Sequence, residues 1–435
     1  MQTYAIIGFG TAGYHAVKAI RQLDAAGRID VYTDTGLAPY NPMLTTYYVG
    51  GKLLSEGMFP FGTLETMSRD LSFQPIHATV RAVRCARREV ETQDGAVRRY
   101  DRILLSTGAS AFAPSIPGLE GDNRFFMRTY DDAEKLRHFL DTTRVTRAVV
   151  VGASMVGIKV VELLAARGIE TYLADLAPGM FPLAAYPEVG AEIGRRVERR
   201  GVRLRFGRSV SGVEDGVAVM TDGERIPVEL VVLCIGTRAN VALADPEEVR
   251  VERAFVVNER METSAPGVYA AGDCCAGRNI QSESCQVIGL WANANHQGTV
   301  AGENMAGGDA AFAGNILHNI THFMDMDFIG FGDNRIQGEV LTSGKLESGL
   351  YLRAVCRDGR LAGANILDSY PISGIVKNYM LRLFKEPGCA LPDFQRGMLV
   401  RAGLSERFIE RLEAVLNGND GSPASGENSL SRDRH

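Results

Sequence analysis

Two glycine-rich turns carry the clearest chemistry in this chain. Gly8-Phe-Gly10-Thr-Ala12-Gly13 follows a short β-branched run, Thr3–Ile7, and opens a helical stretch. The first glycine of such a turn permits a tight bend, the second lets backbone approach a pyrophosphate, and the third lets helix and strand pack closely. The helix N-terminus then presents unpaired N–H groups to the phosphates. Asp34 ends the next strand, IDVYTD, where a carboxylate can bind a ribose hydroxyl pair. Gly152-Ala-Ser154-Met-Val-Gly157 repeats the arrangement, with a serine that still permits fairly close approach and offers a hydroxyl. Asp175 ends its second strand, and no arginine follows within DLAPGMFPL. An acid at that place accepts hydrogen bonds from the adenosine 2′-OH and repels a 2′-phosphate. The second site is therefore expected to take NADH in preference to NADPH.

The elements that must hold these turns recur as two similar units, Tyr4 to Asp34 and Ala148 to Asp175. Each reads as strand, glycine turn, helix and second strand, which is a βαβ nucleotide-binding unit. Strands alternating with helices favour parallel, doubly wound sheets. Further strand–turn signals lie at DRILLSTGAS (101–110), ELVVLCIGTRAN (229–240) and GVYAAGDCC (267–275). Beyond about Asn315 the pattern changes. Gly338–Thr342, Leu350–Cys356 and Leu361–Leu367 read as successive antiparallel strands, and Ser373–Phe384 and Pro392–Ala402 as helices. The expected fold is α/β: two doubly wound nucleotide-binding domains, 1–111 with 240–314 and 112–239, then an α+β domain over 315–415. The Gly/Ser/Asn-rich tail, 416–435, is expected to be disordered.

Composition excludes several classes. At 435 residues, with 45% hydrophobic and 23% charged, the chain is ordinary globular protein of more than one domain. A net charge of −5 gives no electrostatic case for nucleic acid or an anionic membrane. The runs Arg81–Arg88 and Arg195–Arg200 are broken by other residues and read as solvated strand and helix faces. No apolar run approaches the roughly 20 residues that a membrane span needs, and the first strand begins too early to leave room for a signal peptide. Seven scattered cysteines do not form a disulfide framework, so the reading is cytoplasmic. No metal-ligand spacing is present, and His318 with His322 reads as one helix face or a turn.

Taken in order, the two fingerprints, the turn Ser106-Thr107-Gly108, CIGTRAN at Cys234–Asn240 and YAAGD at Tyr269–Asp273 resemble the pyridine nucleotide–disulfide oxidoreductase superfamily. The resemblance covers about residues 1–410. It implies that the first unit binds FAD, the second the nicotinamide cofactor, and that the third domain forms a homodimer interface. On that footing the FAD contacts are Gly8, Gly10, Ala12, Gly13, Asp34, Thr107, Gly108, Gly272 and Asp273. The NAD contacts are Gly152, Ser154, Gly157, Asp175 and Gly236. Asp273 is implied at the ribityl–phosphate region, and the start of the tract 290–307 against the isoalloxazine ring. The implied reaction has two halves, hydride from NADH to flavin and then electrons from flavin to an acceptor.

The chain departs from the family near the flavin. YNPMLTTYYVGG, 40–51, is similar to the segment of the single-cysteine branch, where a redox cysteine usually stands at the position of Met43. Ferredoxin- and nitrite-reductase-like relatives often place a lysine at the position of Thr46. A thioether forms neither a disulfide nor an attacking thiolate. Cys274 and Cys275, with Cys285 close in sequence, remain as thiol candidates, although burial as small hydrophobes is the preferred reading. Lys159 stands where relatives often have a glutamate; it can meet a cofactor phosphate, pair with Glu162 or lie on the helix face. His296, Tyr40, Tyr47 and Cys275 are the weak catalytic candidates. The acidic, aromatic tract 321–333 is read as a strand-entry loop, or else as a segment reaching a partner's flavin. The leading expectation is NADH:acceptor reduction, with a small organic molecule or redox protein as acceptor. Oxidase or peroxidase activity is the runner-up, and a disulfide reductase using Cys274 and Cys275 comes third.

Overall fold

Strands buried on both faces of a parallel sheet need apolar residues throughout, and the runs before both glycine turns meet that need. Thr3–Ile7 lies at the centre of a five-stranded parallel sheet. Its order is Val268–Ala270, Arg102–Leu105, Thr3–Ile7, Arg28–Thr33, Gln74–His77. Ile6 is in register with Val31 on one side and Leu104 on the other, and all three are buried. Arg147–Val151 takes the same place in a second parallel sheet, ordered Arg203–Phe206, Glu170–Asp175, Arg147–Val151, Leu230–Leu233, Phe125–Phe126.

The computed structural model describes residues 1–121 and 124–418. Both parallel sheets belong to one compact unit, Met1–Leu317, and a second unit begins at His318. Five helices of the first unit concern the site: α1 (Thr11–Leu23), α2 (Thr45–Val49), α3 (Tyr130–Thr142), α4 (Met155–Ala166) and α5 (Trp291–Met305). α1 and α4 each follow a glycine turn. α5 lies along α1 at a separation only glycine allows, because a Cβ on Gly298 would stand 2.2 Å from the Ala12 carbonyl oxygen and one on Gly302 2.3 Å from that of Ala16. Between the sheets, Ala109–Ala111 pairs antiparallel with Thr237–Ala239 where the chain leaves and re-enters the first sheet's region.

The second unit is an antiparallel sheet ordered His318–Phe323, Met326–Gly332, Arg360–Leu367, Ser348–Arg357, Glu339–Lys345. Helices Ser373–Lys385 and Asp393–Arg401 follow it, then Glu406–Leu416. The tract 321–333 is a hairpin rather than a loop: Met324 and Asp325 take φ of 45° and 56° between its paired strands, the turn geometry that matches strand twist. His318 and His322 lie on that first strand and not on a helix or turn. The Arg195–Arg200 run is only partly solvated. Arg196 is buried and donates to buried Glu192, which Arg195 and Arg199 also reach. Leu416 ends a helix, which shortens the tail expected from 416, and residues 419–435 lie outside the described residues. Among the described residues no helix is long and apolar enough to cross a membrane.

Candidate functional site

The first glycine turn is built against the Ser106–Gly108 turn. Gly8 has φ +90°, and a Cβ there would stand 2.6 Å from the Ser106 carbonyl oxygen. Ser106 Oγ donates to the Gly8 carbonyl at 2.9 Å, locking the two turns together. Gly10 differs, for nothing lies within 4 Å of the point where its Cβ would be. α1 begins there with no side-chain cap and no acid in its first turn, so its first N–H groups face open space with a favourable dipole for an anion. Ala12 is buried and serves close packing, its methyl 3.2 Å from where a Cβ of Gly272 would stand. Asp34 lies exposed just past the strand; its carbonyl takes a hydrogen bond from His77 Nε2 at 2.8 Å, and its carboxylate is open to a ligand. These features fit the pyrophosphate and ribose of a dinucleotide.

The strand ending at Ala270 delivers two more of the expected contacts. Gly272 N–H donates to Gln297 Oε1 at 2.9 Å, fixing this loop to α5. The Asp273 carboxylate accepts from Arg128 Nη2 at 2.6 Å, while Arg128 Nε donates to the Ala109 carbonyl at 3.0 Å. Arg128 was not legible in the sequence. The Thr129-x-x-Asp132 pattern beside it does signal a capping box, which the structure contains, but a lone arginine does not announce a partner 145 residues away. Thr107 turns its hydroxyl to the Asn240 carbonyl at 2.6 Å, and Asn240 Nδ2 donates back at 3.0 Å. Its side chain thus joins the two connecting segments.

The second turn uses its polar residues internally. Ser154 caps α4, accepting from Gly157 N–H at 3.1 Å and donating to the Cys234 carbonyl at 2.9 Å. Asp175 accepts from Ala153 N–H at 2.7 Å and from Ala177 N–H at 2.8 Å. The carboxylate therefore ties the strand end to the glycine turn, and its remaining lone pairs are what a ribose would meet. Gly236 has φ +105° with nothing near its missing Cβ. Leu176, next to Asp175, is 69% exposed.

The weak catalytic candidates have different neighbours. The Tyr40 hydroxyl accepts from Tyr130 N–H at 3.1 Å, at the start of α3, and burial raises its pKa. Tyr47 faces α4, with Lys159 Nζ 4.9 Å from its ring centroid; Lys159 itself pairs with Glu162. His296 is exposed on α5 against the edge of Phe312. Cys274 and Cys275 are both fully buried, with Cys274 Sγ donating to the Leu105 carbonyl at 3.2 Å. Burial pushes both thiols up, Cys275 well above its ordinary value. A thiol held protonated in a core is a poor nucleophile. Met43 is 64% exposed on a single turn, Pro42–Leu44, and Thr46 is buried just behind it.

Residues 2–298 match the family model described as pyridine nucleotide-disulphide oxidoreductase. The chain is 29% identical to the NADH-dependent phenylglyoxylate dehydrogenase subunit epsilon of Aromatoleum evansii, over 87% of this chain and 91% of that protein. It is 27% identical to an NADH oxidase of Methanocaldococcus jannaschii, over 75% of each. Its fold matches the reduced CoADR-RHD of Bacillus anthracis with a TM-score of 0.83 at 20% identity, covering 96% of this chain and 81% of that one.

Proposed function

The chain belongs to the pyridine nucleotide-disulphide oxidoreductase family, and from that premise we propose that it passes electrons from NADH, by way of FAD, to a redox-protein acceptor without a catalytic disulfide. It is an NADH-dependent oxidoreductase, and its cofactors are FAD and NADH. We assign FAD to residues 1–111 with 240–314 and NADH to 112–239, with 315–415 joining two copies of a cytoplasmic homodimer. When bound, the flavin supplies the hydride acceptance and the later release of electrons. The chain supplies binding and orientation. The α1 N-terminus and Asp34 would hold the pyrophosphate and ribose of FAD, with Gly272 and Asp273 nearer the ribityl chain. The turn at Gly152 and Asp175 would hold NADH.

One observation carries the acceptor reading. An exposed thioether, Met43, occupies the position at which the resemblance implies a thiol, and the adjacent pair Cys274 and Cys275 is buried and protonated. Without a thiol relay, electrons leave the flavin directly. That the Aromatoleum evansii relative is a subunit of a dehydrogenase supports a protein partner over a small free acceptor. Anaerobic titration tests the core of this reading. One equivalent of NADH per FAD should complete reduction with no change in free thiols; a second equivalent taken up, with two new thiols, overturns it. Reduced protein should then be reoxidised by a one-electron protein such as a ferredoxin faster than by air. The NADH oxidase relative favours the second reading, in which rapid NADH consumption in air yields hydrogen peroxide or water. Sedimentation of the FAD-loaded protein tests the dimer.

A further inference from the structure

Between α2 and α4 lies a cleft of about 110 Å³. A single buried water needs about 10–15 Å³ of such space, so the cleft has room for a small organic molecule. Its polar lining is unbalanced. Lys52, Lys159 and Arg167 face it with a single acid, Glu162, while Thr46 adds a hydroxyl and Tyr47 a ring. Lys159 and Lys52 converge on that ring, with ammonium nitrogens 4.9 and 6.0 Å from its centroid. Glu162 pairs with Lys159, both side chains being largely buried. Arg167 directs Nη1 to Asp141 and Nη2 to the Val49 carbonyl, which fixes its guanidinium at one end. Lys52, exposed at the rim, has the ring as its contact and no carboxylate at ion-pair distance among the described residues. With Lys159 paired to Glu162 and Arg167 to Asp141, Lys52 leaves the cleft with a net positive charge that an anion would neutralise. Leu163 and Ala166 meanwhile give the cleft an apolar wall.

We propose that this cleft binds a small organic carboxylate, its charged end between Lys52 and Lys159 and its apolar body along Leu163 and Ala166. Recognition combines charge-assisted hydrogen bonds with a short apolar contact, which excludes a neutral amide of the same shape. None of the residues of the two glycine turns lines this cleft, and its occupant does not depend on which acceptor the enzyme uses. Calorimetric titration of the FAD-loaded, full-length protein with butyrate tests it, with butyramide as the uncharged match. Butyrate should bind saturably and butyramide should not. Lys52→Gln should weaken butyrate binding several-fold, and the double change Lys159→Gln with Glu162→Gln by about 10-fold or more, the scale of one charge-assisted bond. Should the double variant lose its flavin or its cooperative melting, Lys52→Gln decides alone, since that residue is exposed on the rim. Equal binding of butyramide overturns the proposal. So does an absence of saturable heat, or an equal loss of affinity in Lys345→Gln, which removes an exposed lysine of the second unit. NADH stoichiometry is read on the same sample, so failure here is separable from failure of the electron-transfer reading.

Discussion

Exchanging Asp175 for alanine and Leu176 for arginine should shift nucleotide preference from NADH toward NADPH. Asp175 ends its strand one hydrogen bond from the glycine turn, through Ala153 N–H at 2.7 Å, which places a carboxylate where the adenosine ribose of a βαβ site sits. A hydrogen bond to a charged acceptor is worth about 1.5–3 kcal/mol. Its removal should lower kcat/KM for NADH by roughly 10–100-fold. For NADPH the carboxylate is repulsive: two unit charges about 4–5 Å apart at an effective dielectric near 20 interact by about 3–4 kcal/mol. The site is open to solvent, so salt reduces this, and relief of roughly 1–2 kcal/mol is a sounder expectation. Leu176 is 69% exposed, so an arginine there can reach a 2′-phosphate in bidentate fashion. Together the changes should move the NADH-to-NADPH ratio on the order of 1,000-fold. Anaerobic stopped-flow reduction of the flavin by each nucleotide measures it directly. The same carboxylate also holds Ala153 and Ala177 N–H, so a melting temperature a few degrees lower is expected as well. If Asp175→Ala lowers the melting temperature but leaves the nucleotide ratio within about three-fold, the residue is only a turn brace.

Three further outcomes follow from the geometry. Gly298→Ala should force α5 from α1, because its methyl would stand 2.2 Å from the Ala12 carbonyl oxygen; a loss of about 1–3 kcal/mol and reduced flavin content at purification are expected, and retained flavin with unchanged melting would refute the packing argument. With a thiol reagent at neutral pH, exposed Cys285 should react first and Cys389 more slowly, whereas buried Cys274 and Cys275 should react only after denaturation; Cys275→Ser should keep NADH turnover. Burial pushes the Glu192 carboxyl up, but hydrogen bonds from Arg196 and Arg195 outweigh it and leave the carboxyl below the usual glutamate range. Its stabilisation is therefore complete above the unfolded glutamate range and is lost as pH falls through the lowered folded value. Glu192→Gln should thus cost about 2–3 kcal/mol near pH 7 and progressively less in acid, measured by urea unfolding; an equal cost at both ends would rule out the ion-pair account.

Much of the second unit was legible because its central strands are near-continuous runs of apolar and small residues, buried on both faces and bounded by polar turns. Strands read at Leu350–Cys356 and Leu361–Leu367 are observed as Ser348–Arg357 and Arg360–Leu367. The hairpin at 318–332 was missed because its two-residue turn, Met324-Asp325, carries no glycine or asparagine to announce positive φ. Arg196 was misread for a related reason. A charge run on a helix predicts a solvated face, and only the packed neighbours show that one member turns inward to a buried acid.

The sequence by itself determined the two glycine turns, since those depend on glycines at fixed spacing between a strand and a helix. Within each turn the third glycine packs against the first, since a Cβ on Gly13 would stand 2.6 Å from the Gly8 carbonyl oxygen and one on Gly157 1.9 Å from that of Gly152, whereas the first glycine of each meets a distant strand end, at Ser106 and Cys234. Only the tertiary structure decided what the polar residues do once placed. It gave Ser154 and Thr107 to internal hydrogen bonds, joined Arg128 to Asp273, and separated Tyr40, Tyr47 and His296 among different neighbours. The physical reason is distance along the chain. A turn's bend follows from its own glycines, whereas a side chain's partner is set by whatever distant segment the fold brings beside it.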